Sequence, residues 1–85
     1  MYRTTVKIDG MACPMCEAHI AEAIRRGIPA ASGVSASFKK KEAVFLSEEQ
    51  PEEETVRGVV DATGYRYLSS ESVPYVKKGL FGFLH

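Results

Sequence analysis

YRTTVKIDGMACPMCEAHIAEAIRRG, residues 2–27, changes its hydrophobic period once, and that change decides the fold. Thr4, Val6 and Ile8 alternate with Arg3, Thr5 and Lys7, the pattern of a strand with one buried face. Asp9-Gly10 ends it. From Pro14 onward, Cys16, Ile20, Ala23, Ile24 and Gly27 recur at a helical period. Proline suits the first helical turn, where its missing N–H has no partner to lose. Arg25 and Arg26 fall in the last turn, where positive charge suits the helix dipole, and Gly27 is expected as the C-cap. Both cysteines of the chain, Cys13 and Cys16, lie where the strand hands over to the helix.

The rest of the chain extends the same alternation of elements. IPAASG reads as a loop and VSASFKKK as a second strand with Val34, Ala36 and Phe38 on one face. Lys39 to Glu42 make a turn, and AVFLS is a third strand, so a connection this short predicts an antiparallel hairpin. Pro51 with Glu52, Glu53 and Glu54 reads as a helix start with proline at the first position. Val56, Val59, Val60 and Thr63 supply its buried stripe and Gly64 its stop. YRYLSS is a short fourth strand. The order β-α-β-β-α-β predicts an α+β, ferredoxin-like fold, with four antiparallel strands and both helices on one face. The expected core is Ile20, Ile24, Val34, Phe38, Val44, Leu46, Val56 and Val60, with Phe45 and Leu68 on the open face of the sheet. Residues 1–70 form the domain, and residues 71–85 an apolar C-terminal tail.

Composition narrows the function classes. The chain has 85 residues, 45% of them hydrophobic and 26% charged, so it is long enough for one domain with a small core. Its formal net charge of zero argues against nucleic acid as a partner, because phosphate binding needs a basic excess. No basic segment followed by an apolar run marks a signal peptide, and no stretch approaches the ~20 apolar residues of a membrane span. The expected compartment is the cytoplasm, with no stable membrane insertion. Two close cysteines in a reducing compartment read as metal-binding or catalytic and not as a structural staple. The charge runs, Lys39–Lys41 and Glu48–Glu54, read as solvated turns.

Cys13 falls in the loop and Cys16 in the first helical turn. Unpaired N–H groups and the positive end of the helix dipole favour thiolate over thiol there. Redox chemistry and soft-metal binding both need thiolates of low pKa, so local physics leaves the two readings level. Structural zinc wants four ligands. Cys13, Cys16, His19 and His85 are the obvious nitrogen and sulfur ligands, and the histidines do not follow zinc-finger spacing.

GMACPMC after a strand, the helix that follows, GVSASF and the late TGY together resemble the heavy-metal-associated domain family, over roughly residues 3–69. The family includes bacterial copper chaperones, cytoplasmic domains of heavy-metal P-type ATPases and mercury-binding proteins. Gly10, Met11, Cys13 and Cys16 match its motif. The resemblance implies that Cys13 and Cys16 bind Cu(I), or sometimes zinc, cadmium or mercury, and that Met11 packs inward to support the loop without ligating. It implies no catalytic residue. The partner it implies is a metal-transporting P-type ATPase or another metal-binding protein, with a metal-bridged homodimer as a further arrangement. Ala12 stands where an acidic residue would favour zinc in this family, which leans to Cu(I). Pro14-Met15 between the cysteines, a longer loop at GIPAASGV and the added tail depart from the family pattern.

Other residues are weighed beside the pair. His19, three residues after Cys16, reads first as an exposed helix histidine and second as an accessory ligand that would favour zinc. Met15 reads first as an apolar contact for a partner and second as a weak soft ligand. Tyr65, after Gly64, lies in the loop that the resemblance puts beside the metal, where it supports the site. A small thiol–disulfide oxidoreductase is the alternative function. CPMC looks like a glutaredoxin active site and Ser72-Val73-Pro74 mimics its Val-Pro, but that fold needs another strand pair and a helix after the proline. The tail reads first as folding back on the open sheet face. Docking to a partner, contact with a membrane surface, and disorder are its other readings.

Overall fold

The computed structural model describes residues 1–75. Its elements are β1 (Tyr2–Asp9), α1 (Pro14–Gly27), β2 (Ser32–Ser37), β3 (Glu42–Ser47), α2 (Glu53–Ala62) and β4 (Arg66–Pro74). The sheet runs β2-β3-β1-β4 with every neighbouring pair antiparallel, the ferredoxin-like order expected from the sequence. Val6 and Ile8 of β1, Ala43 and Phe45 of β3, Ile20 and Ile24 of α1, and Val56 and Val60 of α2 close one core between sheet and helices.

The phase of β3 differs from expectation. Phe45 is fully buried and Ala43 with it, whereas Val44 and Leu46 are half-buried on the opposite face. AVFL is apolar at every position, so alternation alone carries no phase. Pairing with β1 sets it: Thr4 stands opposite Phe45 and Arg3 opposite Leu46. Thr4 and Val6 face the core, so their partners Phe45 and Ala43 do too.

Other boundaries also move. Gly27 is the last residue of α1 and not a left-handed cap; the capping position is Ile28, whose N–H donates to the Ile24 carbonyl at 2.8 Å. Gly27 meets a packing need. A Cβ there would run into Val59 of α2, closer than real Cβ atoms come, so its hydrogen lets the two helices approach. Pro51 precedes the N-cap of α2. Glu52 caps in an extended conformation, and its carbonyl accepts from the N–H groups of Thr55 and Val56. Phe38 lies in the turn after β2 yet still packs on the core.

β4 runs four residues past its expected end, to Pro74, held by pairing along the length of β1. Between Lys7 and Ile8 the register shifts, leaving Leu68 unpaired and 52% exposed. The Tyr75 N–H donates to the Met1 carbonyl at 2.8 Å, closing this edge. Residues 71–74 of the expected 71–85 tail are thus part of β4, and the fold-back expected of the tail otherwise falls on residues 76–85, outside the described residues.

Candidate metal centre

β1 delivers the chain to the loop, and Gly10 turns it. Gly10 holds φ +101, a conformation that side chains rarely adopt, and a Cβ there would press on the Tyr65 ring at 3.3 Å. Met11 then drops into the core, 3% exposed, and anchors the loop from below. Ala12, Cys13, Pro14 and Met15 are exposed, Met15 at 68%. Met11 is thus a core residue, and Met15 presents an apolar side chain to solvent.

Cys13 is the N-cap of α1, with extended backbone (φ −154, ψ 163), and Pro14 takes the first helical position. The Cys16 N–H closes the turn on the Cys13 carbonyl at 3.0 Å. That geometry points both side chains the same way, and the two Sγ atoms lie 2.9 Å apart as free thiols. Cys13 is exposed, whereas Cys16 is half-buried and packs against the core. Two hollows among the described residues lie elsewhere. One, of about 460 Å³, runs between α1 and α2. The other, of about 520 Å³, is lined by Met1, Ile28 and Pro51 at the far end of the sheet. Cys13 thus presents its thiol to solvent, with Cys16 behind it at the edge of the core.

Hydrogen bonds converge on Cys16 and lower its pKa to about 7. The Cys13 thiol contributes most, followed by the Tyr65 hydroxyl and the backbone at Ala12. Partial desolvation opposes them, and the backbone at Cys13 adds a smaller lowering. In return Tyr65 is raised, chiefly because its hydroxyl donates to Cys16. Tyr65 is 49 residues from Cys16 in sequence, and the Gly64 turn (φ +90) brings it across. The sequence placed Tyr65 beside the site only through the family resemblance; the influence of its hydroxyl on Cys16 depends on the tertiary structure.

A thiol of lowered pKa is an anion over more of the neutral range. Alkylation of Cys16 by iodoacetamide is expected to rise through a midpoint near pH 7. In Tyr65→Phe the midpoint is expected to move upward, because one bond that favours the thiolate is gone. Mass-resolved alkylation of each cysteine between pH 5 and pH 10 (about these limits) checks both. An unchanged midpoint in Tyr65→Phe would remove the phenol from the account.

His19 is exposed and lines the α1–α2 hollow with Glu22, Ala23 and Val59. No group of three or more His, Cys, Asp or Glu side chains is placed for one metal among the described residues. His85 lies outside them. No helix among the described residues is long and apolar enough to cross a membrane.

No protein-family model matches the chain. It is 39% identical over 70 residues to the mercuric reductase of Staphylococcus aureus, an alignment covering 81% of this chain. The chain spans only 12% of that enzyme's length. Among solved structures, the fold matches a copper-binding domain from HMA7, a P-type ATPase, with a TM-score of 0.69 and 17% identity, covering 87% of this chain and 96% of that one. It also matches the metallochaperone CopZ, with a TM-score of 0.68 and 12% identity, over 78% and 98% of the two chains. At such identities the likeness is one of fold. The resemblance to heavy-metal-associated domains read from the sequence thus extends to the whole βαββαβ architecture.

Proposed function

We propose that this chain is a heavy-metal-associated domain that holds one soft metal ion, foremost Cu(I), between Cys13 and Cys16 and passes it to a partner protein. The carrying observation is the thiol pair itself, 2.9 Å apart and outward-facing at the start of α1. Soft d¹⁰ ions accept two thiolates, and Zn(II) prefers four ligands. With metal–sulfur bonds of about 2.3 Å, opposed thiolates stand about 4.6 Å apart, so the pair opens on binding. Cys13, exposed at the extended N-cap, has the freedom to swing outward.

Two-coordination leaves the metal open. An incoming thiolate bonds to it, the bond to one cysteine breaks, and the ion moves on without a change of oxidation state. The work assigned to the chain is therefore binding and delivery, with no catalytic residue. The recipient is a metal-transporting P-type ATPase or another thiolate site. The compartment is the cytoplasm, where thiols stay reduced. Met15, exposed between the cysteines, is an apolar contact for that recipient.

Hg(II) is a second cargo for the same pair, favoured by the sequence likeness to a mercuric reductase. Native mass spectrometry of the reduced protein with Cu(I), Hg(II) and Zn(II) in competition tests the assignment. One soft ion per chain is expected, retained against Zn(II). Preferential retention of Zn(II) would overturn the soft-metal reading, and a metal-bridged pair of chains would appear directly as a dimer mass.

A further inference from the structure

The hollow of about 520 Å³ opens where the core lacks a cover. At this end two connections meet, residues 28–31 after α1 and residues 48–52 before α2. Met1, Ile28, Ala30 and Pro51 line the hollow with apolar groups, and Ile28 belongs to the core cluster, so the space leads onto the core. Met1 is left 46% exposed beside it. Glu48 and Glu49 line it as well. Both are exposed, and neither is paired with a cation among the described residues.

The chain returns to this place. β4 runs the length of β1, and the Tyr75 N–H donates to the carbonyl of Met1, a lining residue. The described residues end there, and the sequence continues VKKGLFGFLH. Lys77 and Lys78 come first, then Gly79, then Leu80 and Phe81. Two cations ahead of two bulky apolar side chains complement two carboxylates beside an apolar hollow. Phe81 is six residues beyond Tyr75, a reach of at most about 20 Å. The long loop after α1 and the tail, both additions to the family pattern, thus meet at one point.

We propose that residues 76–81 turn back into this hollow, with Lys77 and Lys78 against Glu48 and Glu49, and with Leu80 and Phe81 beside Ile28. The tail is then a plug that completes the core at the end remote from the thiols. Removing apolar surface of both hollow and tail from water drives the closure. The inference stands apart from the metal reading.

The open face of the sheet is the competing surface. Val44, Leu46 and Val73 lie on it, but so do Arg3 and Lys7, because Thr4 and Val6 face the core. Arg3 stands between Leu46 and Val73 in the strand register and has no carboxylate partner among the described residues. A segment that opens with two lysines is repelled by Arg3 and drawn to Glu48 and Glu49.

Nuclear Overhauser contacts in the reduced, metal-free full chain locate the tail. The Phe81 ring is expected to contact the methyl groups of Ile28 and Met1. Contacts to Leu46 and Val73 instead would move the tail to the open sheet face and overturn the plug. A Phe81 ring with no contact to any of residues 1–75 would overturn it too. In a sample mixing labelled and unlabelled chains, contacts between chains would assign the hollow to a second copy's tail and overturn the closure within one chain. Leu80→Ser/Phe81→Ser is expected to lower the melting temperature by about 5 °C or more, and an unchanged melt would count against the plug. Lys77→Glu/Lys78→Glu should weaken the Phe81 contacts, and adding Glu48→Lys/Glu49→Lys should restore them. Contacts that the charge swap leaves unrestored would overturn the pairing of lysines with glutamates.

Discussion

Cys13→Ser/Cys16→Ser is expected to lose soft-metal binding by more than about a thousandfold while keeping its fold. Metal sites built on thiolates draw on the order of 10 kcal/mol from their ligands, and each 1.4 kcal/mol is a factor of ten. A serine hydroxyl is neutral near pH 7 and a hard donor, so it replaces neither the charge nor the softness of the thiolate. Stability should be spared. Cys13 is exposed at an N-cap, where serine is a favoured residue, and it has no capping hydrogen bond in the native chain to lose. Cys16 is only half-buried, so a hydroxyl there keeps contact with solvent. The contrast is checked by competition with a soft-metal chelator alongside a thermal melt of the metal-free protein. Retained stoichiometric Cu(I) in the double variant would show that other side chains hold the metal.

Phe45→Ala is expected to cost about 3–5 kcal/mol, the range for a large aromatic removed from a packed core. Phe45 is the largest fully buried side chain among the described residues, at 0% exposure, and it belongs to the one core cluster that joins sheet and helices. A chain of this size has roughly 4–13 kcal/mol of stability in all, so the variant would be partly unfolded near room temperature. Leu46→Ala, one residue on, should cost about 1 kcal/mol, because Leu46 is half-buried on the face away from the helices. Urea denaturation of the two variants measures the difference. Equal midpoints would mean that β3 faces the other way.

These two residues also show where sequence reading runs out. Period-2 alternation locates a strand only when its two faces differ in polarity. β1 has such faces, with Val6 and Ile8 against Arg3 and Lys7, and its buried side is legible by inspection. β3 is apolar on both, so its phase is a property of the β1 partner and is invisible locally. The same holds for the end of β4. Ser69, Ser70, Glu71 and Ser72 have little strand propensity, and they are strand because β1 offers a ladder through Tyr2. Gly27 looks like a helix terminator in one dimension; in three, it is the point where Val59 needs room.

The exposed loops behave alike. Lys39–Lys41 reads as a solvated turn, a sound default for a charge run. Only the bonds from Phe38 to Glu17 and from Ile8 to Lys41 put those charges beside the cysteines. Likewise Tyr65 comes to influence Cys16 through the meeting of the α2–β4 turn with the thiol loop, where its ring lies against Gly10.

The sequence by itself determined the order of elements, the place of both cysteines at a strand-to-helix junction, and the start of α1 at Pro14. Each of these depends on residues within a turn or two of one another, so short-range periodicity and capping chemistry suffice. The tertiary structure alone decided the phase of β3, the length of β4, the closeness of the two thiols and the groups that lower Cys16. Those depend on residues far apart in the chain and are set by strand register and helix packing, which local patterns do not encode.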